Sequence, residues 1–140
     1  MRIAVIGAGG VGGYFGGRLA EAGHDVNFIA RGAHLEAMRR DGLIVQSPVG
    51  DFSVRPAQAT DDPAGIGAVD VVLLCVKTYQ LGPAIAVVSP LVGADTAVLT
   101  VQNGVEAPDQ VAEAVGREHV FPGIAKIFSG VAGPGRIRHL

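Results

Sequence analysis

Apolar residues in this chain fall in short blocks separated by glycine-rich or polar breaks, and strand-like blocks alternate with helix-like ones. Ile3 to Ile6 is a four-residue apolar run of strand length. Glycines interrupt it, and Tyr14 to Ala22 then follows a helical pattern closed by Gly23. Asp25 to Ala30 predicts a second strand, and Ala33 to Arg40 a short helix ending before Gly42. Between Leu43 and Arg55, two β-like runs flank Pro48 and Gly50, the spacing of a hairpin inserted after the second helix. Asp62 to Gly67 reads as a turn or a short helical segment. Asp70 to Val76 is a strongly apolar strand. Tyr79 to Leu91 is mostly helical, with Pro83 in its first turn. Thr96 to Val101 predicts another buried strand, Pro108 to Val115 a helix ending at Gly116, and His119 to Ile127 a last central strand. Gly130 to Leu140 reads as a turn and the beginning of one more strand.

This alternation predicts one α/β domain over residues 1–140, with a doubly wound, mainly parallel sheet of Rossmann type. The expected strand order is 3-2-1-4-5-6, with a ligand at the carboxyl ends where the order reverses. Composition agrees: 49% of residues are hydrophobic, only 5% aromatic, and Trp is absent. Strands buried on both faces have this aliphatic character. A formal net charge of -2 argues against a nucleic-acid surface or a polybasic membrane patch. The longest apolar run is far below bilayer length and no charged-then-apolar leader opens the chain, so no membrane partner is expected and the cytoplasm is the expected compartment. Cys75 is the only cysteine, which rules out an intrachain disulfide. Its place inside an apolar run predicts a buried structural thiol. The chain stops at Leu140 without a closing helix, which suggests a piece of a longer protein.

The first break is chemically specific. Gly7-Ala8-Gly9-Gly10-Val11-Gly12 follows a strand and opens a helix, the setting in which such a glycine pattern binds a dinucleotide. Gly7 permits the turn. Gly9 lets a diphosphate approach bare backbone, and Gly12 allows close helix–strand packing. The helix amino terminus offers unpaired N–H groups and partial positive charge. Strand two ends Phe28-Ile29-Ala30-Arg31 with no carboxylate to hold a ribose 2′-hydroxyl, whereas Asp25 opens the strand and lies on the opposite edge. Arg31 stands where a 2′-phosphate would sit, so NADP is expected over NAD. Lys77 leaves the strand Asp70–Val76, and Asn103 leaves the strand Thr96–Val101, both at the carboxyl edge. An ammonium group can bind anionic ligand groups there. An amide can both donate and accept, bridging cofactor and substrate. The four histidines lack metal-ligand spacing and no metal is expected. Ser47, Ser53 and Ser89 lack a nucleophile-elbow context. Asp61 and Asp62 precede Pro63, where helix initiation explains them better than acid–base work.

Together the glycine motif, Arg31, Val76-Lys77-Thr78-Tyr79-Gln80 and Gln102-Asn103-Gly104 resemble the amino-terminal domain of the ketopantoate reductase (2-dehydropantoate 2-reductase) family. The tail Gly133-Pro134-Gly135-Arg136-Ile137-Arg138-His139 is similar to that family's stretch before its second domain, and the resemblance spans essentially the whole chain. It implies NADPH-dependent reduction of 2-dehydropantoate to pantoate, a step toward pantothenate and coenzyme A. The residues it implies for the cofactor are Gly7, Ala8, Gly9, Gly10, Val11, Gly12, Arg31, Lys77, Asn103 and Ser129, with Asn103 also touching the substrate. The family's proton-donating lysine lies in a helical second domain that these residues do not include. No catalytic acid is therefore assigned, and the 140 residues alone are expected to be inactive. The implied partner is a small keto acid, and a homodimer stays open. Two other readings stay open as well: a reductase of another 2-keto acid, and a non-catalytic NADP(H)-sensing module.

Overall fold

A computed structural model describes residues 1–140. The first strand, β1 (Arg2–Ile6), runs into helix α1 (Gly10–Glu21), then β2 (Asp25–Ile29) and α2 (Gly32–Asp41). A hairpin of β3 (Leu43–Gln46) and β4 (Phe52–Val54) follows, then β5 (Gln58–Thr60), β6 (Val69–Leu74) and α3 (Leu81–Val88). The second half continues with β7 (Val92–Thr100), α4 (Ala107–Val115) and β8 (Val120–Pro122), and closes on a hairpin of β9 (Ser129–Gly133) and β10 (Arg136–His139).

Six strands form a fully parallel sheet in the order β5-β2-β1-β6-β7-β8. Counted along this sheet alone, that is the expected 3-2-1-4-5-6. The third strand is β5, a three-residue segment of mixed polarity that carries no strand pattern in the sequence. Alternation along β1 explains why both faces are covered. Ala4 and Ile6 join one apolar core with Leu81, Ala84 and Val88 of α3 and Val111 of α4. Ile3 and Val5 join the other with Tyr14 of α1, Phe28 and Met38. Each fully buried aliphatic or aromatic side chain contributes about 1.5–3 kcal/mol.

A second sheet, β4-β3-β10-β9, lies beyond α1 and makes this helix a buried middle layer. Its glycines mark both contacts. A Cβ on Gly16 would press on Phe28 and Val5 of the central sheet at 2.7 and 2.8 Å, and one on Gly13 would press on Ile137 of β10 at 2.7 Å. Helix α1 thus approaches two sheets at backbone distance.

Several boundaries differ from the sequence reading. Helix α1 begins at Gly10 rather than Tyr14, because the glycines after the turn already take helical geometry. The expected last central strand, His119 to Ile127, shrinks to Val120–Pro122 at the sheet edge. Pro122 lacks an N–H to extend the ladder. The expected start of one more strand is a complete hairpin, β9–β10, and it pairs with β3 rather than with the central sheet. Asp62 does initiate a helical turn: its Oδ1 accepts from the Ala64 N–H at 3.1 Å. No helix is long and apolar enough to cross a membrane.

Candidate functional site

The register of the parallel sheet aligns the strand ends. Ile29, Ile6, Leu74 and Thr100 lie side by side across β2, β1, β6 and β7. Whatever follows each of them leaves at the same edge: Arg31 after β2, the glycine loop after β1, Lys77 after β6 and Asn103 after β7. The chain direction reverses its lateral progress between β1 and β6, so a crevice opens there.

The glycine loop sits in that crevice. Gly7 has φ of +90°, and a Cβ on it would meet the Val76 nitrogen and Cγ1 at 3.0 Å. Gly12 packs so closely that a Cβ would overlap the Gly7 carbonyl oxygen. Gly10 is held by the other sheet, since a Cβ there would collide with the Ser129 carbonyl. Gly9 differs from all three. It is the N-cap of α1, offers no side-chain cap, and has nothing within 4 Å of a Cβ position. No protein contact requires glycine at that point. Its open face lies against the first amides of α1, which have no partner within the helix. No acidic side chain occupies the first turn to compete for them.

The other predicted residues surround this ledge in different ways. Arg31 is exposed at the N-cap of α2, with its guanidinium bonded to no protein acceptor. Lys77 is exposed, and its backbone is pinned: its N–H donates to Gln80 Oε1 at 3.1 Å and its carbonyl accepts from the Gln80 N–H at 2.8 Å. Asn103 is exposed on the neighbouring loop, where its carbonyl accepts from Thr78 Oγ1 at 3.4 Å. The Lys77 and Asn103 loops are thereby joined. Ser129 begins β9 directly against Gly10, and its Oγ is buried without a hydrogen-bond partner in the chain. An open glycine face and an orphaned hydroxyl beside it both fit a ligand that brings its own phosphate oxygens.

Two residues that sequence reasoning passed over hold this edge in shape. His34, in α2, bridges the site to the second sheet. The Gly135 N–H donates to its Nδ1 at 2.9 Å, which places the ring proton on Nε2, and Nε2 donates to the Ala8 carbonyl at 2.6 Å. Gln102 ties β7 to β6, with Nε2 donating to the carbonyls of Leu74 at 2.7 Å and Val76 at 3.0 Å. Its position beside Asn103 was the only available signal, and for His34 the sequence carries none. Cys75 lies just past β6 against this packing, and burial pushes its thiol up to about 12. It is a structural thiol, as its place in the apolar run predicts.

Fold and edge define the class: a Rossmann-type α/β domain whose candidate ligand ledge sits at the carboxyl ends of β1 and β6. The sequence profile of the family described as Ketopantoate reductase PanE/ApbA matches residues 3–140. A 2-dehydropantoate 2-reductase of Nostoc sp. (strain PCC 7120) is 35% identical over 139 residues, covering 99% of this chain and 43% of its own length. The crystal structure of 2-dehydropantoate 2-reductase from Geobacter metallireducens GS-15 superimposes with a TM-score of 0.95 at 36% identity, over 99% of this chain and 46% of that one. D-mandelate dehydrogenase, solved with NADH and anilino(oxo)acetate, superimposes with a TM-score of 0.91 at 26% identity, over 100% of this chain and 46% of its own. The chain therefore belongs to the ketopantoate reductase family of oxidoreductases, and it spans a little under half the length of the relatives it matches.

Proposed function

We propose that residues 1–140 are the cofactor-binding half of an NADPH-dependent reductase that converts 2-dehydropantoate to pantoate, on the route to pantothenate and coenzyme A. The observation that carries this reading is the open face of Gly9 at the amino terminus of α1, with Arg31, Lys77 and Asn103 leaving the sheet on the same edge. NADPH, when bound, supplies the hydride. The amides of Gly10 to Gly12 hold the diphosphate, and the Ser129 hydroxyl adds a donor from the second sheet. Arg31 grips the 2′-phosphate with its planar fork of donors. Lys77 supplies positive charge beside the cofactor, and the Asn103 amide orients cofactor and keto acid against each other. Reduction of a ketone leaves a developing alkoxide that requires a positioned acid. We assign that acid to no residue of this chain.

The test is calorimetry with NADPH and NADH on wild type and Arg31→Ala. Loss of charged hydrogen bonds to the phosphate is expected to weaken NADPH binding roughly tenfold or more, with NADH binding nearly unchanged. Equal losses for both nucleotides would remove Arg31 from this role. A second substrate reading is favoured by the likeness to D-mandelate dehydrogenase: reduction of another 2-keto acid. A panel of 2-keto acids offered to the intact enzyme separates the two. A protein that binds NADPH tightly and reduces none of them would instead be a nucleotide-sensing module.

A further inference from the structure

Four exposed arginines line one open surface depression of about 590 Å³, away from the cofactor ledge. Arg39 and Arg40 come from the last turn of α2, Arg55 follows β4, and Arg136 opens β10. The depression lies at the carboxyl end of α2, whereas Arg31 caps its amino end. Ten residues of helix separate the two, about 15 Å at the usual rise.

The charge balance here is unusual for this chain. Its formal net charge is -2, yet four of its eleven basic side chains line this one depression, with Asp41 as the only carboxylate. That carboxylate is already engaged. Arg40 binds it through Nε and Nη2, both at 3.0 Å, and holds it below the usual carboxylate range, with Arg55 and Arg136 adding to the field. Arg39 donates through Nε to the Ala59 carbonyl at 3.1 Å. Arg55 and Arg136 have no protein acceptor. The helix dipole accounts for basic residues in the last turn of α2. It does not account for two further arginines delivered from the ends of β4 and β10, whose mutual repulsion the single carboxylate of Asp41, already paired with Arg40, offsets only in part.

We propose that this depression is a binding site for a small phosphate-bearing polyanion. Planar guanidiniums from separate segments suit the several oxygens of a diphosphate or larger phosphate cluster. The site is independent of the cofactor reading: it shares no residue with the ledge and requires no nucleotide there.

Inorganic pyrophosphate at low ionic strength is the probe, titrated by calorimetry. Because pyrophosphate would also suit the glycine ledge, the titration uses a Gly9→Asp background, whose Cβ meets no protein atom and whose carboxylate caps the first amides of α1 and repels an anion there. Binding is expected to persist there, to weaken at least tenfold in Arg55→Ala/Arg136→Ala, and to weaken as salt is raised. Melting temperature should be nearly unchanged, since both side chains are exposed. Arg117→Ala, remote from the depression, is expected to leave pyrophosphate affinity within twofold. Absent binding in the Gly9→Asp background would overturn the site, as would equal losses in the paired and remote variants. Citrate bound as tightly as pyrophosphate would overturn its assignment to phosphate.

Discussion

Gly9 and Gly12 are three positions apart in one motif, yet different neighbours demand them. A Cβ on Gly12 overlaps the Gly7 carbonyl oxygen, so Gly12→Ala is expected to cost about 1–3 kcal/mol, read as a fall in melting temperature. A Cβ on Gly9 meets nothing, so Gly9→Ala is expected to change stability by less than about 1 kcal/mol while weakening NADPH binding roughly tenfold or more. A Gly9→Ala protein that melts early but binds normally would reverse these roles. The Cys75 thiol makes a separate point about burial. Its value rises from the ordinary 9.0 to about 12 because the thiolate is desolvated. At pH 8 the native protein should therefore alkylate at this residue up to roughly three orders of magnitude more slowly than the unfolded chain, in line with its lower thiolate fraction. The linkage has a definite sign. A raised thiol value stabilises the fold fully below about pH 9, and this contribution is lost as pH rises toward 12.

At the scale of elements, the glycine loop depends on two neighbours that are distant in sequence. Helix α2 lends His34 to the Ala8 carbonyl, and the same ring accepts from Gly135 in the β9–β10 turn. His34→Ala leaves both backbone groups without their partner and is expected to cost about 1–3 kcal/mol. Hydrogen exchange offers the sharper reading: the Gly135 amide should lose protection while amides of β6 and β7 keep theirs. Unchanged protection at Gly135 would show that the bridge is not what holds the turn. Most of these elements were legible in advance. The run Ile3–Ile6, the helix opened by Pro108 and the capping role of Asp62 all follow from local periodicity and local caps. Strand β5 escaped because Gln58-Ala59-Thr60 has no alternation to read; its partner β2 imposes the extended form. His119–Ile127 misled in the opposite direction, as apolar residues with strand character that the sheet does not continue to pair.

For the whole molecule, the decisive fact is that two sheets share α1. The parallel partner of β3 is β10, and this pairing carries Ser129 to Gly10 and buries Ile137 completely against the helix. The site is therefore assembled from both ends of the chain. It remains a ledge rather than an enclosed cleft, and relatives are about twice as long. We expect residues 1–140 to bind NADPH without measurable turnover of 2-dehydropantoate, assayed by absorbance at the nicotinamide band. Turnover by these residues alone would place the proton donor among them. Sequence by itself determined most of the succession of strands and helices, the expected order 3-2-1-4-5-6 of the central sheet without the identity of its third strand, and the glycine loop at its centre. Those features rest on side-chain period and backbone sterics, which act over a few residues. Only the tertiary structure decided the second sheet, the separate bridges made by His34 and by Gln102, and the meeting of Arg39, Arg40, Arg55 and Arg136. Each is a pairing between segments far apart along the chain, and such pairings are selected by which surfaces must be covered once the strands have packed.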